Sequence, residues 1–574
     1  MFQFIVFGKN KDGQLFLGNN NEVLTPTKVS TNDYFLQVCG SRSRTLFLGP
    51  DWRVYKISDS LTNLSPITFE GKGTKIRKIA GGYAHWLFLT DTGAVYSMGK
   101  SYYGQLCHGD RVNLIKVPQR IAFFQKQNEI VYDIVCGSDL SFFLCNSGNL
   151  YAGGRFACSE VDELIAMEPI LLSTDVVEIW SGVNAEHFFY RTTKGEIFAG
   201  GSNKHGELAV GSYRQIKPST TEKLTNLDKN WDIKQICCGN YYTIARLSLG
   251  LLSCGNFMFR GSGTKNTRDQ NSFCAIAQFQ DTVCTQLQCG AYHTVALTEE
   301  KKFYVWGYAN HGGQLGLGNR EPELSPVELK ITDLDYSQEI TLACGALTNY
   351  IYSKTSLLAL DFLKFFQREE LADYKIHGVK VHSQLVEKRL NIKKEILEKS
   401  LSKLDLNKEQ ISSFFSWVYS GISSNFQLIK HILQNLDRSD LLSLTIDQFF
   451  ANLYEEENEK KDFAIKVKNE MVYAHRFVLQ ARSKLFLEMF LSIEQEIDFV
   501  SDFTEKSPKT VAFLVKFLYT DQIIMSDLDQ TMRKELDGAV DYYQLNEFSP
   551  LNKLNSLNKF QYKKIEEQES CVCF

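Results

Sequence analysis

Residues 289–319 read CGAYHTVALTEEKKFYVWGYANHGGQLGLGN. An apolar, β-branched run begins at His293, a polar turn follows it, and a second apolar run begins at Phe303. Two such runs with a short polar turn between them predict a β-hairpin. Glycine-rich residues then close the stretch between Gly307 and Gly318. The stretch is therefore typical of a small unit of short strands separated by glycine turns.

The same pattern recurs through the first 355 residues. A short apolar run that ends in glycine occurs seven times, and the repeat glycines are Gly40, Gly82, Gly137, Gly182, Gly239, Gly290 and Gly345. Their spacing averages about 51 residues, as expected for a fixed core with loops of variable length. In the second unit, Tyr55-Lys56-Ile57 stands where the other units carry their later glycine.

The ends of this array favour a closed ring over an open solenoid. The array begins with the later half of a unit, at residues 6–19, and ends with the earlier half, at residues 342–353. Joining the two halves completes a seventh unit and leaves no exposed edge strand. We therefore predict an all-β, seven-bladed propeller over residues 1–355, closed by pairing of strands from 3–8 and 347–353.

The repeated units resemble the regulator of chromosome condensation repeat family, whose units carry C-G-x-x-H-T-x-A-L and W-G-x-N-x-x-G-Q-L-G elements. Residues 289–318 match both elements closely, and residues 81–109 and 6–18 match clearly. The resemblance implies a propeller that acts as a nucleotide exchange factor for a small GTPase, a chromatin binder or a protein-docking platform. We interpret His85 and His293, at the repeat histidine position, as hydrogen-bonding residues between strands, without a catalytic role.

Composition separates the propeller from the rest of the chain. Of 38 glycines, 35 lie in residues 1–355 and three lie beyond, so the two parts use turns differently. The first part carries a net charge of +1 and the second −5. A near-neutral propeller disfavours nucleic acid as a partner, and with it chromatin binding.

After residue 355 the apolar pattern changes to a period of about 3.6, which predicts helices. The clearest unit, at 460–550, opens with a strand-like DFAIKV at 462–467. Three amphipathic helices are predicted after it, MVYAHRFVLQARSKLFLEMF at 471–490, TVAFLVKFLYTDQI at 510–523 and LDGAVDYYQLNEF at 536–548. This succession resembles a BTB/POZ domain, and the residues that carry the resemblance include Asp462, His475, Leu479, Arg482, Ser483, Phe486 and Tyr519. We interpret His475 as a packing residue at a helix start, because no second ligand or nucleophile accompanies it.

A weaker copy precedes this unit. Residues 373–390 read as two strands and a helix start with His382 in the histidine place, and FFSWVYSG at 414–421 is similar to FLVKFLYT. We therefore predict a divergent BTB/POZ module over 356–455, which makes the fold class a propeller followed by two α+β modules. An apolar helix predicted at 438–455 either joins the two modules or opens the second one.

The BTB/POZ resemblance implies protein partners. Such modules bury helix faces against a second BTB module, and in many members they bind a cullin scaffold so that an attached domain presents substrates for ubiquitination. Tandem copies can pair within one chain or form a homodimer. The helical extension that usually accompanies cullin binding is not recognisable after Phe548.

The tail at 551–574 ends in Cys571-Val572-Cys573-Phe574, which fits the C-a-a-X pattern. A terminal phenylalanine would direct a geranylgeranyl group to Cys571, and the alternative is an accidental ending; one lipid alone holds a membrane weakly. No apolar stretch reaches the length of a membrane span, and the start lacks a signal peptide. We expect a cytoplasmic protein that reaches membranes only if prenylated, with a nuclear location left open.

No motif in the sequence points to chemistry. The 14 cysteines include no CxxC pair, which favours buried thiols, and no phosphate-binding loop or catalytic constellation is recognisable. We predict no enzyme, no catalytic residue, no cofactor and no metal ligand. The sequence instead favours an interaction adaptor, in which the propeller binds a client protein and the BTB modules dimerise or dock a cullin-type ubiquitin ligase. The alternative is a guanine nucleotide exchange factor for a small GTPase, tethered by a prenyl group.

Overall fold

The computed structural model describes most of residues 3–520. The residues outside the description are 1–2, 32, 71–72, 110–112, 157–163, 217–219, 229–230, 262–267, 309, 333, 335–339, 354–361, 363–365, 367–371, 378, 391, 405, 421–425, 437, 439–445, 456–462, 468–469, 476–477, 480, 482–507 and 521–574. The chain divides into two compact units, residues 3–334 with 341–352 and residues 353–574 with 1–2 and 335–340.

Seven four-stranded antiparallel sheets, the blades, make up the first unit. The chain begins with the two outer strands of blade 7, β1 (Phe4–Gly8) and β2 (Val23–Lys28). Blade 1 consists of β3 (Gln37–Gly40), β4 (Thr45–Leu48), β5 (Val54–Ile57) and β6 (Leu64–Pro66). Blade 2 consists of β7 (Ile76–Gly81), β8 (His85–Thr90), β9 (Val95–Lys100) and β10 (Leu114–Arg120).

The next four blades repeat this order. Blade 3 consists of β11 (Val131–Cys136), β12 (Leu140–Cys145), β13 (Leu150–Phe156) and β14 (Leu164–Ser173). Blade 4 consists of β15 (Val176–Trp180), β16 (His187–Thr192), β17 (Ile197–Gly201) and β18 (Glu222–Lys223). Blade 5 consists of β19 (Ile233–Cys238), β20 (Tyr242–Leu247), β21 (Leu251–Gly255) and β22 (Gln270–Ala275). Blade 6 consists of β23 (Cys284–Cys289), β24 (His293–Thr298), β25 (Phe303–Gly307) and β26 (Glu323–Leu329).

Blade 7 closes the ring with strands from both ends of the repeat array. Its inner strands, β27 (Ile340–Cys344) and β28 (Thr348–Ser353), pair with β1 and β2 in the order β2-β1-β28-β27. The register runs from Phe4 opposite Tyr352 to Gly8 opposite Thr348. The predicted seven-bladed closure is therefore confirmed. A short helix, α1 (Phe123–Lys126), lies between β10 of blade 2 and β11 of blade 3. A 3₁₀ turn (Ala277–Phe279) lies between β22 of blade 5 and β23 of blade 6.

The hydrophobic core lies between neighbouring blades. The second strand of most blades is buried along its whole length because a blade covers each of its faces, as in β8, β12 and β24. One cluster joins Leu87 of blade 2 to Val131 and Phe143 of blade 3. The eleven cysteines in the described part are free thiols, and burial raises the pKa of Cys284 to about 12. Most of the eleven are buried and pack as small apolar side chains.

The second unit contains two hairpins and six helices in the part that the structure describes. In chain order they are β29 (Tyr374–Ile376), β30 (Val379–Val381), α2 (Ser383–Leu390), α3 (Lys394–Leu401), α4 (Lys408–Ser420), α5 (Phe426–Asn435), α6 (Ile446–Tyr454), β31 (Phe463–Val467), β32 (Glu470–Ala474) and α7 (Pro508–Thr520). The helix predicted at 438–455 is seen as α6, and the helix predicted at 536–548 lies outside the described residues.

Candidate protein-interaction site

In the part of the second unit that contains β31, β32 and α7, a buried histidine is hydrogen-bonded to a buried tyrosine. His475 follows β32 directly, and Tyr519 is the penultimate residue of α7. The backbone N–H of His475 donates to Tyr519 Oη at 2.5 Å, and the ring Nδ1 lies 2.8 Å from the same oxygen. Neither side chain is exposed. The predicted packing role of His475 thus takes the form of a hydrogen-bonded link between a strand end and a helix end.

The same link occurs in residues 374–435. The N–H of His382 donates to Tyr419 Oη at 2.5 Å, and its Nδ1 lies 2.8 Å from that oxygen. Beside it, the Asp373 carboxylate accepts the N–H of Ser383 at 2.6 Å, so it satisfies one free donor at the start of α2. Asp373 stands in the place of Asp462, the aspartate of the BTB pattern, which lies outside the described residues.

An aromatic ring from a preceding helical segment packs on each of these tyrosines. Phe366 lies 4.8 Å from the Tyr419 ring, and Tyr454 of α6 lies 5.5 Å from the Tyr519 ring, between ring centroids. Each module therefore has an aromatic contact ahead of its hairpin. The helix α6 contacts the module that follows it through Tyr454, and its role as a linker or as an opening helix stays a prediction.

These two segments also contact each other. Phe362 and Phe450 are both fully buried, and their rings stack 4.0 Å apart at an interplanar angle of 21°. The Arg389 guanidinium of α2 lies 4.9 Å above the Phe449 ring. The helix α6 is therefore shared: it packs on Tyr519 through one residue and on the earlier module through two others.

Of the other predicted BTB residues, some belong to the part of the chain that the structure describes and others do not. Leu479 is buried in a helical segment that begins after His475. Arg482, Ser483 and Phe486 lie outside the described residues, as does Cys571 of the tail. For these residues the roles read from the sequence stay predictions.

The repeat glycines lie where the first strand of a blade turns into the second. A Cβ on Gly137 would lie 2.8 Å from the carbonyl oxygen of Ala185 in the next blade, closer than real Cβ contacts come. The turns of neighbouring blades are also joined directly, since the N–H of Ser138 donates to the Ala185 oxygen at 2.7 Å. A Cβ on any of the seven would come within 3.0 Å of a neighbouring atom, at Gly40, Gly82, Gly137, Gly182, Gly239, Gly290 and Gly345.

The register of blade 1 differs from the others by one residue. The N–H of Gly82 donates to the carbonyl of His85 at 2.9 Å, and in blade 1 the equivalent donor is Ser41, to Arg44 at 2.8 Å. Gly40 therefore lies one residue before the turn position that the sequence pattern gave it.

Three buried histidines link successive blades. The Nε2 atoms lie within hydrogen-bond distance of a polar side chain in the next blade: His85 to Ser141 at 3.0 Å, His187 to Thr243 at 2.8 Å and His293 to Asn349 at 2.8 Å. Burial lowers the pKa of His85 to about 4, of His187 to about 3 and of His293 to about 4, so the rings are neutral. His187 was missed in the sequence, because its turn is two residues longer than that of His85.

The later glycine blocks form loops that an asparagine holds closed. In blade 6, Asn310 Oδ1 accepts the N–H of Leu315 at 3.0 Å, and its Nδ2 donates to the Asn319 carbonyl at 3.1 Å. Asn10 and Asn203 do the same for the loops of blades 7 and 4. Because consecutive strands are antiparallel, these loops and the glycine turns lie on one propeller face. This face therefore carries both the asparagine-closed loops and the repeat glycines.

The described residues hold no group of three His, Cys, Asp or Glu side chains placed to bind a metal ion. In the same part of the chain, no helix combines the length and the apolar character of a membrane span.

Family models match both units. Two models of the regulator of chromosome condensation (RCC1) repeat match residues 92–144 with 194–246 and residues 76–105 with 284–314. A BTB/POZ domain model matches residues 451–553, which contain His475 and Tyr519.

Several curated proteins are similar to this chain over about half of its length. Human E3 ubiquitin-protein ligase HERC2 is 28% identical over 339 residues, which are 56% of this chain and 7% of HERC2. The Ultraviolet-B receptor UVR8 of Arabidopsis thaliana is 27% identical over 350 residues, 57% of this chain and 78% of UVR8. An RCC1-like G exchanging factor-like protein of Mus musculus is 25% identical over 289 residues, 47% of this chain and 60% of that protein. The chain thus spans a small fraction of HERC2 and most of UVR8.

Among solved structures, Prp20p from Saccharomyces cerevisiae, described with its binding to Gsp1p and histones, aligns with a TM-score of 0.54 at 19% identity. The alignment covers 61% of this chain and 91% of that one. At this identity the likeness establishes the propeller fold alone.

Proposed function

The chain carries RCC1 repeats followed by a BTB/POZ domain, and from this premise we propose that it is a non-enzymatic adaptor whose propeller binds a client protein. Both kinds of module are binding or exchange-factor folds, not catalytic ones. In this proposal the BTB part docks the chain to a cullin-type scaffold, so that a client on the propeller is presented for ubiquitination. The observation that carries the proposal is the joining of two interaction folds in one chain.

We further propose that residues 356–455 form a divergent BTB/POZ module. The support is the repeated geometry: His382 with Tyr419 and His475 with Tyr519 have the same two distances, 2.5 and 2.8 Å. The helices that carry the tyrosines, α4 and α7, are both 13 residues long, and in both the tyrosine is followed by one last residue. A hairpin precedes each histidine.

The two modules, in this proposal, pair inside one chain. Phe362 lies four residues before Phe366, and Phe450 lies four residues before Tyr454, so the two stacked phenylalanines hold matching positions. Contact between matching positions is what two copies related by a two-fold axis make. The face that a lone BTB module would offer to a second chain is then covered from within.

Size-exclusion chromatography with light scattering tests this pairing on the full chain. Internal pairing predicts a mass near 65.6 kDa at all concentrations studied. A stable species of twice that mass, with exchange of differently tagged chains, would contradict internal pairing and favour a homodimer.

The scaffold part of the proposal has its own test. Purified full-length chain is mixed with recombinant amino-terminal domains of a cullin panel, and binding is measured by titration calorimetry. We expect one cullin to bind, with the affinity reduced by Tyr519→Ala and unaffected by the propeller variant Lys234→Glu. Absence of binding across the panel removes the ligase role and leaves the client-binding role of the propeller to be judged separately.

Guanine nucleotide exchange is the second candidate function. Its support is the similarity to the mouse RCC1-like G exchanging factor-like protein over 47% of this chain. The test is release of labelled GDP from a panel of small GTPases with and without the chain. Acceleration of release from one GTPase would replace the adaptor proposal, and unchanged rates across the panel would eliminate exchange activity.

We propose a cytoplasmic location, with membrane association through a geranylgeranyl group on Cys571. The support is the terminal Cys571-Val572-Cys573-Phe574 alone. Intact-mass analysis of the chain from eukaryotic cells would show the added lipid, and Cys571→Ser would abolish it. An unmodified mass for the parent chain contradicts the proposal.

A further inference from the structure

A groove of about 510 Å³ lies between blades 1 and 2. Its apolar lining comes from both blades and includes Leu46, Ile57 and Ile67 of blade 1 and Trp86, Met98 and Val117 of blade 2. Lys56 of β5 and Lys116 of β10 line it from the two flanking blades, and Arg44 lies at the start of β4. The groove is therefore lined by both apolar and cationic side chains.

At other junctions the chain itself fills the equivalent space. The glycine-rich loop after the third strand of blades 2, 4 and 6 lies on the outermost strand of the next blade. A glycine N–H of each loop donates to a carbonyl of that strand, from Gly109 to Met167 at 3.0 Å, from Gly211 to Asn271 at 2.8 Å and from Gly318 to Leu24 at 2.8 Å.

Strand register shows that Lys116 holds the corresponding position in blade 2. Ile115 pairs with Gly99, as the residues before Met167, Asn271 and Leu24 pair with the glycines of their own third strands. Lys116 follows Ile115 directly. The preceding blade sends no loop to it, because blade 1 joins β5 to β6 by the short turn at residues 58–63. As a result Val117 is 54% exposed.

A position on the second strand of blade 2 also differs from its counterparts in the blades that follow a loop. Where a loop is present, a polar side chain on the second strand of the next blade donates to the loop backbone, as Ser141 does to Gln105 at 2.6 Å and Thr243 to Glu207 at 2.7 Å. In blade 2 this position, opposite Gly81 in the ladder, is Trp86. A donor for a loop in the same chain is thus replaced by an indole that packs in the core between blades 1 and 2 and is only 4% exposed.

The charges of the groove favour an acidic occupant. Arg44, Lys56 and Lys116 form no ion pair among the described residues, and all three are exposed. Two carboxylates, Asp12 and Asp59, also line the groove and leave a net charge of +1 on its lining. A peptide that carries acidic side chains along the blade walls would neutralise this charge.

We propose that this blade 1–2 groove binds an acidic, turn-forming peptide segment of a client protein, in the place that the chain's own loops fill elsewhere. An apolar side chain of the segment packs on Val117 and Met98, and acidic side chains pair with Lys56 and Lys116. The inference rests on the proposed adaptor function and deepens it, because it names the chemistry of the client.

The test uses cyclised peptides that copy residues 201–212, GSNKHGELAVGS, which form one of the filling loops. The acidic probe carries glutamate at the Lys204 and His205 positions, and the unchanged sequence is the neutral control probe. Fluorescence polarisation with full-length chain should show the acidic probe binding at least tenfold more tightly than the neutral one. Lys116→Glu should weaken it at least tenfold, whereas Lys234→Glu, at an exposed ion pair in blade 5, should not.

A second variant keeps the test independent of local charge changes. Grafting the loop of residues 202–214 in place of residues 58–63 should fill the groove and abolish probe binding, with the circular dichroism spectrum unchanged. Equal binding of both probes, or equal weakening by Lys234→Glu, overturns the proposal, as does a grafted chain that still binds. Since the assay uses neither a cullin nor a GTPase, its failure leaves the scaffold titration unaffected, and the two proposals fail separately.

Discussion

Tyr419 and Tyr519 each satisfy two polar groups that burial would otherwise leave without a partner. The phenol oxygen accepts a backbone N–H of the histidine, and its own proton is free to bond the ring Nδ1. A single oxygen thereby links the strand before the histidine to the end of a helix. Because both groups are buried, the link stabilises each module by more than an exposed hydrogen bond would.

Tyr519→Phe should therefore destabilise the second unit. The change leaves a buried N–H and a ring nitrogen without their acceptor and donor, which costs about 1–3 kcal/mol. Urea denaturation followed by circular dichroism measures the loss. The control is Tyr374→Phe, because that hydroxyl bonds Glu398 at a half-buried site that water can reach. Equal midpoints for the parent and Tyr519→Phe chains would refute the buried link.

The blade histidines make propeller stability depend on pH. In the unfolded chain each titrates near pH 6.5, whereas in the fold burial lowers the pKa of His85 and His293 to about 4. The unfolded chain binds protons first as the pH falls, so the stability present above pH 6.5 is lost between about 6.5 and 4. The loss approaches roughly 1.4 kcal/mol per pH unit for each histidine.

His293→Gln is the matched variant, because its amide keeps a neutral donor to Asn349 but does not titrate. Its unfolding free energy should fall less steeply than that of the parent chain between about pH 6.5 and pH 5. Carboxylates contribute equally to both chains and cancel in the comparison. Parallel pH profiles would show that His293 binds protons as readily in the fold as in the unfolded chain, which contradicts a lowered pKa.

Some of these residues could be predicted from the sequence and others could not. His85 and His293 follow their glycine by three residues and could be placed from the pattern, whereas His187 follows Gly182 by five. The partners of these side chains lie in other blades or other elements, and no local period reports such contacts. Tyr519 could be assigned to the BTB pattern, but its bond to a residue 44 positions earlier could not.

At the scale of elements, α6 holds the two modules of the second unit together. It contributes Phe450 to the stack with Phe362, Phe449 to Arg389 and Tyr454 to Tyr519. The amphipathic pattern of residues 438–455 predicted a helix here, and the structure describes it over Ile446–Tyr454. The pattern could not decide between a linker and an opening helix, because both need an apolar face.

Phe450→Ala should destabilise the second unit by about 3–5 kcal/mol, since it leaves a cavity in a fully buried ring stack. Urea denaturation of the full chain gives the change. Ile396→Ala on α3 is the control, because that side chain is 58% exposed and loses little buried area. A loss at Phe450 no larger than at Ile396 would mean that the stack does not form.

At β32 (Glu470–Ala474) the local apolar pattern predicted a helix, and the structure has a strand. Residues 471–490 carry apolar residues at helical spacing, yet Glu470–Ala474 pairs with Phe463–Val467 as a hairpin. The helical face starts only after His475. Pairing with a neighbouring strand outweighed the helical pattern of the first residues, as tertiary contacts commonly do.

At the scale of the propeller, closure depends on the first strand of the chain. Phe4 of β1 is fully buried, with its ring 5.8 Å from that of Phe47 in blade 1 and 6.2 Å from that of Tyr350 in blade 7. The half-units at the two ends of the array predicted this pairing. The blade 1–2 groove could not be predicted. The glycine that is missing at Tyr55-Lys56-Ile57 indicates a shortened turn, but it does not show which side chains the missing loop leaves uncovered.

Phe4→Ala should destabilise the propeller by about 3–5 kcal/mol, because the lost ring contacts two blades. Thermal unfolding followed by intrinsic fluorescence is the measurement. Leu324→Ala on β26 serves as control, since that side chain is 42% exposed. Equal transition temperatures for both variants would contradict closure through β1.

The pairing of Phe4 with Tyr352 also sets an order of events during synthesis. A ribosome that adds about 5–20 residues per second needs tens of seconds to reach that partner. Throughout this time β1 has no strand to pair with on its inner side, and blade 1 lacks the neighbour that covers its open face. The nascent chain thus has to keep β1 soluble until the strand at Thr348–Ser353 has emerged.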